Sequence, residues 1–245
     1  MICRICGNES AFAFKAPIMN GAHDVSYYHC ETCRFLETEQ PYWLKEAYVS
    51  PINASDTGYV TRNVNLSLVS LALCALLFDR SKKFLDYGAG YGIFCRLMRD
   101  YGLDFYWSDK HTPNLFCKGF EHAGQPIEAV TCFECFEHFE DPIREIGKIL
   151  SISKNIIFST LLVPPGTDVP DKSWWYYGFD HGQHVSLYSL KTLRWIAARY
   201  KLNLYSDGIN LHILTPKKMH PLIMRLYFRI SRSRLAPWFK KSLLR

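Results

Sequence analysis

Four cysteines carry the first chemistry in this chain. Cys3-Arg4-Ile5-Cys6 and Cys30-Glu31-Thr32-Cys33 are two C-x-x-C pairs separated by 23 residues. Two such knuckles offer four thiolates to one tetrahedral Zn²⁺, with sulfur–metal bonds of about 2.3 Å. Gly7, after the first pair, permits a tight turn, and Arg34, after the second, sets a positive charge beside a tetrathiolate. His23 and His29 stand close by, but the set is complete without them. Four protein ligands leave no coordination position open for a reaction, so this zinc is expected to be structural. Redox C-x-x-C motifs usually occur singly, near a βαβ pattern. The other five cysteines, Cys74, Cys95, Cys117, Cys132 and Cys135, sit in largely apolar surroundings and read as small buried hydrophobes in a reducing, cytoplasmic setting.

A second constellation is Asp86-Tyr87-Gly88-Ala89-Gly90-Tyr91-Gly92, at the end of a strand-like run from Lys83. Glycines at such a turn let a ligand approach the backbone where side chains would block it. Dinucleotide enzymes space these glycines as G-x-G-x-x-G, facing a pyrophosphate. Here the third glycine, Gly92, comes one residue early, and Asp86 precedes the turn. That combination suits a ligand carrying an ammonium and a ribose. Asp109 ends the next strand-like run, 19 residues after Gly90, where a carboxylate can accept ribose hydroxyls. An adenosyl cofactor is the expected ligand.

These residues need a scaffold. Short strands are expected around Phe12–Phe14 and Ser26–His29, then an aromatic transition from Pro41 to Gly58. A long helix follows over Thr61–Leu77, with Val64, Leu68, Leu71, Ala72, Ala75 and Leu76 at helical spacing. Beyond the glycine turn come helix Ile93–Tyr101, strand Phe105–Asp109, strand Ile127–Phe136, helix Pro142–Leu150 and strand Asn155–Thr160. Helix Leu190–Tyr200 and strands Asn203–Asp207 and Leu211–Thr215 complete the pattern. Alternation of this kind implies an α/β fold with a Rossmann-like, doubly wound, mainly parallel sheet. The expected division is a zinc-ribbon module over 1–40, the α/β domain over 41–216 and a basic amphipathic tail over 217–245.

Composition narrows the function classes. The 245 residues are 48% hydrophobic and 21% charged, too apolar for a disordered chain. The most apolar window, Val64–Phe78, is interrupted by Asn65, Ser67 and Ser70 and reads as a buried helix. No secretory signal or integral membrane segment is expected. The net charge of +6 belongs to the tail: residues 217–245 hold nine Lys or Arg and no acid, which leaves the rest at −3. A body of that charge does not have the footprint of a nucleic-acid binder.

The stretch Asp86–Gly92 with Asp109 resembles the first two motifs of class I S-adenosylmethionine-dependent methyltransferases, of the methyltransferase type 23-like kind. Phe133-Glu134-Cys135-Phe136-Glu137-His138-Phe139-Glu140-Asp141-Pro142 resembles their later E-x-x-E-H-x-x-x-P segment. The resemblance runs from about Thr61 to Thr215. It implies that Gly88, Gly90 and Gly92 line the methionine part of S-adenosylmethionine, that Asp109 holds the ribose and that Phe133 and Glu134 border the cofactor. The knuckles together with His181-Gly-Gln-His184-Val-Ser-Leu-Tyr188-Ser189 are similar to bacterial sugar methyltransferases with an N-terminal zinc module and an H-x-H-x-x-x-Y-S stretch carrying a catalytic histidine. This chain spaces its histidines three apart, and no counterpart of the longer enzymes' C-terminal domain is expected. His184 keeps the spacing to Tyr188-Ser189.

Methyl transfer to a hydroxyl requires alignment and removal of a proton. A placed base contributes about 10²–10⁴-fold, and an imidazole suits that role near neutral pH. His184 is the candidate base, with His181 and Tyr177 as alternates; His138 reads as a structural or cofactor-side residue, with the base role as its alternative. Tyr59 and Arg62 are candidates to lie over the cofactor. The aromatics Trp174–Phe179 are candidates to stack on a sugar face or to fill a core. No carboxylate–histidine group stands out as a divalent-metal site, so metal-assisted chemistry is not expected. Pro221–Arg245 reads as one or two basic amphipathic helices, fit for an anionic membrane surface, the chain's own core or a second copy in a homodimer. The leading reading is O-methylation of a small sugar or sugar-containing acceptor in surface-glycan biosynthesis. The alternatives are a nucleic-acid or protein methyltransferase and a zinc-ribbon adaptor with a degenerate methyltransferase fold.

Overall fold

The computed structural model describes residues 1–49 and 57–240. The end of the tail, with Lys241, and residues 50–56 of the aromatic transition lie outside the described residues. In chain order the elements are β1 (Ala11–Ile18), β2 (His23–His29), β3 (Leu36–Thr38), α1 (Leu44–Ala47), α2 (Tyr59–Leu77), β4 (Lys83–Tyr87), α3 (Ile93–Asp100), β5 (Asp104–Ser108) and β6 (Ala129–Cys132). Then follow α4 (Pro142–Ile152), β7 (Ile156–Ser159), β8 (Ser186–Leu187), α5 (Leu190–Arg199), β9 (Asn203–Ser206), β10 (Leu211–Thr215) and α6 (Pro221–Ser231). The strands form a six-stranded sheet of order β5-β4-β6-β7-β10-β9 and a four-stranded sheet of order β1-β2-β3-β8.

In the larger sheet β4 runs parallel to both β5 and β6, and β6 runs parallel to β7. The chain leaves β4 toward one edge and returns on its other side, so β4 borders a topological switch point. In open α/β sheets ligands bind beyond the carboxyl ends of the strands at such a point. The turns after β4, β5 and β6 are therefore the positions where a site is expected, and they carry Gly88–Gly92, Asp109 and Phe133. This is the mainly parallel, doubly wound α/β fold that the alternation of strands and helices predicts.

The chain forms two compact units, both discontinuous in sequence. One draws its described residues from Met1–Asn53, Glu134–Lys148 and Ser159–His212, the other from Ala54–Phe133, Ile149–Phe158 and Ile213–Arg245. In the first, β1 and β2 pair as an antiparallel hairpin with a bulge between Phe12 and Phe14, longer than the short strands the sequence suggests. Its core gathers Ile18, Val25, Tyr27, Leu36, Trp43 and Leu187. The two shortest strands, β3 and β8, escape the sequence pattern. They pair antiparallel, Leu36 with Leu187 and Glu37 with Ser186, so the sheet of the cysteine ribbon takes in the segment just after His184.

In the second unit α2 packs with α3, α6 and the 3₁₀ turn Ala236–Phe239. Its length and hydropathy of 1.5 suit a membrane span by composition, but Leu71, Ala72, Leu73 and Cys74 are fully buried within the protein. The tail lies partly on this helix. Met224, Phe228 and Ser231 are buried, and the Arg80 guanidinium donates to the Phe239 carbonyl at 2.6 Å. Leu222, Leu226 and Trp238 remain exposed.

One strand ends early. The sequence suggests Ile127–Phe136, but β6 stops at Cys132 and a 3₁₀ turn occupies Phe136–His138. The reason is local: Glu134 has φ 52°, a left-handed conformation rare outside glycine, which turns the chain out of the sheet. Non-glycine residues held there often mark functional segments.

Candidate functional site

The glycine turn is fixed by its neighbours. Gly90 has φ 52°, and a Cβ at this position would lie 2.7 Å from the Tyr59 hydroxyl, so no other residue fits without displacement. Tyr59 therefore lies against the turn. The Gly90 N–H donates to Asp109 Oδ2 at 2.9 Å, and the Trp107 indole donates to the Gly90 carbonyl at 2.8 Å. Asp109 Oδ1 accepts from the N–H groups of His111 and Thr112 at 2.7 and 2.8 Å. A carboxylate has about four acceptor positions, so Asp109 shapes the turn and keeps acceptor capacity for a ligand. Gly88 is exposed and Gly92 buried. Phe133 follows β6 and packs edge-on against Phe94, with ring centroids 5.1 Å apart.

Asp86 is buried, and its Oδ1 accepts a hydrogen bond from the Thr131 hydroxyl at 2.9 Å. No basic side chain pairs with it among the described residues. Burial, reinforced by the nearby Asp109 charge, pushes its carboxyl well above the usual range. A buried acid of this kind favours a cationic ligand group, because a nearby positive charge would restore its ionised form. The donor set and the bare glycine backbone thus fit an adenosyl ligand bearing an ammonium.

The other unit assembles a second cluster. Four hydrogen bonds join the segments 136–139 and 183–188. Val185 N–H donates to the Glu137 carbonyl at 2.9 Å, and the Tyr188 hydroxyl to the Phe136 carbonyl at 2.9 Å. The Ser186 hydroxyl donates to the Phe139 carbonyl at 2.7 Å, and His138 Nδ1 meets the Gln183 carbonyl at 3.0 Å. His184 Nδ1 lies 2.6 Å from the Tyr176 carbonyl. A carbonyl only accepts, so both imidazoles carry their proton on Nδ1 and present Nε2 as a lone pair. Their ring centroids are 5.0 Å apart. Glu137, His138 and His184 each place a ligand-type atom within 4.8 Å of the others. The sequence holds no obvious carboxylate–histidine metal group; in the structure these three side chains come together from segments far apart in the chain.

Burial, followed by the neighbouring imidazoles, pushes His184 well below its ordinary value, so it is neutral at physiological pH. Burial pushes His138 down to about 4. Glu137 rises to about 8, first through burial and then through the charge of Glu134. Glu134 is itself anchored: its N–H donates to the Ser159 hydroxyl at 2.8 Å, and that hydroxyl donates to Glu134 Oε1 at 2.6 Å.

The two alternates for the base fare differently. The His181 ring lies 4.8 Å from that of His184, and its Nδ1 accepts from the Gln183 N–H at 3.1 Å. It packs so closely on Gly178 that a Cβ there would come within 2.3 Å of the ring. Tyr177 instead belongs to the core: it is buried, stacked on Phe179 at 4.9 Å, and donates its hydroxyl to the Pro170 carbonyl at 2.9 Å. Burial also raises its phenol further above the ordinary value. It has no free group to act as a base. Of the aromatic run, Tyr176 and Tyr177 fill the core while Trp175 is 74% exposed.

The four knuckle cysteines converge, with all Sγ atoms within 4.8 Å of one another. Cys3 and Cys33 are 3.6 Å apart and Cys6 and Cys30 3.5 Å. A tetrahedron of sulfurs at about 2.3 Å from one ion has edges of about 3.8 Å, so the set fits a zinc ion with little movement. Gly7 and Arg34 both adopt left-handed backbone, at φ 76° and 59°. The Arg34 guanidinium is paired with Asp168. Arg4, inside the first knuckle, binds Glu37 at 2.7 Å and donates to the carbonyls of Thr38, Glu140 and Val185.

A family model described as a methyltransferase domain matches residues 62–207, more than half of the chain. The chain belongs to this family. The methyltransferase match spans the glycine turn, Asp109, the Glu134–His138 segment and both histidines of the 181–184 stretch. S-adenosylmethionine dependence goes with that membership. Among solved structures the methyltransferase is similar to magnesium protoporphyrin IX methyltransferase (ChlM) from Synechocystis PCC 6803 with bound SAM, at 13% identity over 70% of this chain and 87% of that one, TM-score 0.41. It is also similar to the plantazolicin methyltransferase BpumL in complex with SAH, at 14% identity over 73% and 95%, TM-score 0.48. A third is an O-methyltransferase family protein from Burkholderia thailandensis, at 15% identity over 73% and 68%, TM-score 0.45. No curated protein matches the chain.

Proposed function

We propose that this methyltransferase moves the methyl group of S-adenosylmethionine to a hydroxyl of a sugar or sugar-containing acceptor of the kind built into surface glycans. The observation that carries the reading is the pair of imidazoles, His138 and His184, whose Nδ1 atoms are pinned on backbone carbonyls and whose Nε2 atoms stay available. When bound, S-adenosylmethionine supplies a methyl on an already activated sulfonium. Asp86 would hold its ammonium, Asp109 its ribose, and Gly88, Gly90 and Gly92 would border its methionine part, with Phe133 and Glu134 alongside. His184 is the residue proposed to accept the hydroxyl proton. It is neutral near pH 7 and so has the required lone pair, and its Nδ1 anchor keeps the ring oriented. The exposed face of Trp175 offers a platform of the type sugars stack on. In the same reading Cys3, Cys6, Cys30 and Cys33 hold a structural Zn²⁺.

The test is transfer of an isotopic methyl from S-adenosylmethionine to a panel of nucleotide-sugars and glycans, with oligonucleotides and proteins as the contrasting acceptors. Label appearing on a sugar hydroxyl supports the reading. Label confined to nucleic acid or protein replaces it with the polymer alternative.

A further inference from the structure

We infer that Glu137, His138 and His184 form a divalent-cation site that binds the hydroxyl of the acceptor. Glu137 provides the first argument. It is 1% exposed, and neither of its carboxylate oxygens makes a hydrogen bond. The hydroxyls of Thr160 and Tyr176 lie close enough to ease its charge, but neither meets its oxygens with hydrogen-bond geometry. They bond each other at 3.3 Å, and Tyr176 also accepts from the Leu161 N–H at 3.0 Å. An unpaired buried acceptor costs about 1–3 kcal/mol, more when charged, and a native fold with such a group calls for an explanation such as an ion.

The histidines provide the second argument. Metal-binding histidines characteristically donate their other ring N–H to a carbonyl or carboxylate, which fixes the tautomer and the ring direction. His138 and His184 both do so, through Gln183 and Tyr176. Donors sharing one ion stand about 3–4 Å apart, given bonds of about 2.0–2.2 Å. The observed spread of up to 4.8 Å closes with small side-chain rotations. Two imidazoles and one carboxylate suit zinc, iron, cobalt or manganese better than magnesium or calcium. Three protein ligands leave positions for an outside molecule, and His138 and His184 are each partly exposed. Glu134 adds a second negative charge nearby.

The site deepens the proposed function, and its chemical use rests on that reading, although ion binding itself does not. A cation lowers the pKa of an oxygen bound to it by several units. The acceptor hydroxyl, held on the ion, gives up its proton to solvent. Its oxygen then forms a bond to the methyl carbon while the carbon–sulfur bond breaks, with the electron pair going to sulfur. The products are a methyl ether, a thioether and a released proton. With the ion bound, solvent takes the proton that His184 would otherwise accept, and His184 serves as a ligand.

The test uses the full chain with its thiolate site already filled by one equivalent of Zn²⁺, titrated with Co²⁺ by calorimetry and visible absorption. One further Co²⁺ per chain, with ligand-field bands but no sulfur-to-cobalt charge transfer, is the expected result. Glu137→Gln and His184→Ala should each weaken that binding at least tenfold while retaining zinc and the circular dichroism of the wild type. No second Co²⁺, or equal binding in both variants, overturns the site. S-adenosylmethionine binding, measured separately on the same samples, separates this failure from a failure of the methyl-transfer reading. Cobalt bound without S-adenosylmethionine binding upholds the ion site and removes its proposed use.

Discussion

The cysteine knuckles and the Glu137–His138–His184 cluster lie in the same compact unit, yet they are built for opposite ends. The knuckles bring four soft donors to near-tetrahedral spacing, with three of the four sulfurs' residues buried. The cluster brings three harder donors together and leaves two of its side chains partly exposed. A closed set holds a fold together; an open one is available to a ligand. The two are mechanically linked. Arg4 lies between Cys3 and Cys6 and donates to the carbonyl of Val185, next to His184. The β3–β8 pairing runs alongside, and the Thr192 hydroxyl donates to the Cys33 carbonyl at 2.9 Å. The cysteine ribbon thus forms part of the scaffold of His184.

If the knuckles are structural and the cluster functional, their variants should separate stability from turnover. Cys30→Ser should have the largest effect, since structural zinc contributes roughly 10–16 kcal/mol of binding energy in small domains. Zinc content should fall and the thermal transition should broaden or vanish; a variant that lost its zinc yet melted like wild type would break the comparison. Arg4→Ala comes next. It leaves Glu37, which is fully buried, without its ion partner, at a cost of about 3–5 kcal/mol, read as a lowered melting temperature with zinc retained. His184→Ala should lower turnover by about 10²–10⁴-fold and leave the melting temperature and S-adenosylmethionine affinity near wild type. A large loss of stability in that variant would make the cluster another structural element. Ser159→Ala is the mildest. It removes the hydroxyl that anchors Glu134 and should cost about 1 kcal/mol by denaturant titration, with a small decrease in turnover.

Much of this was legible in the chain because its signals are local. The glycine turn, Asp109 and the paired cysteines each fit in a few consecutive residues, and the helices over 59–77 and 190–199 show their periodicity directly. Other features depend on distant pairings. Strands β3 and β8 have three and two residues, too few for any alternation to register. The Glu137–His184 cluster is closed by hydrogen bonds between segments more than forty residues apart, so neighbouring sequence gives no sign of it. The left-handed Glu134 that ends β6 has no compositional mark, which is why that strand looks longer in sequence than it is. Within the run Trp174–Phe179, hydrophobicity alone does not separate Tyr177, in the core, from Trp175, in solvent.

The central claim is that the turn after β4 binds S-adenosylmethionine through residues this chain supplies. Calorimetric titration of the wild-type protein with S-adenosylmethionine, beside Asp109→Ala, tests it most directly. The account predicts one molecule bound per chain and an affinity reduced about tenfold to a hundredfold in the variant, the range expected for losing hydrogen bonds to a charged group. Absence of binding to the wild type, or equal binding to both proteins, would contradict it.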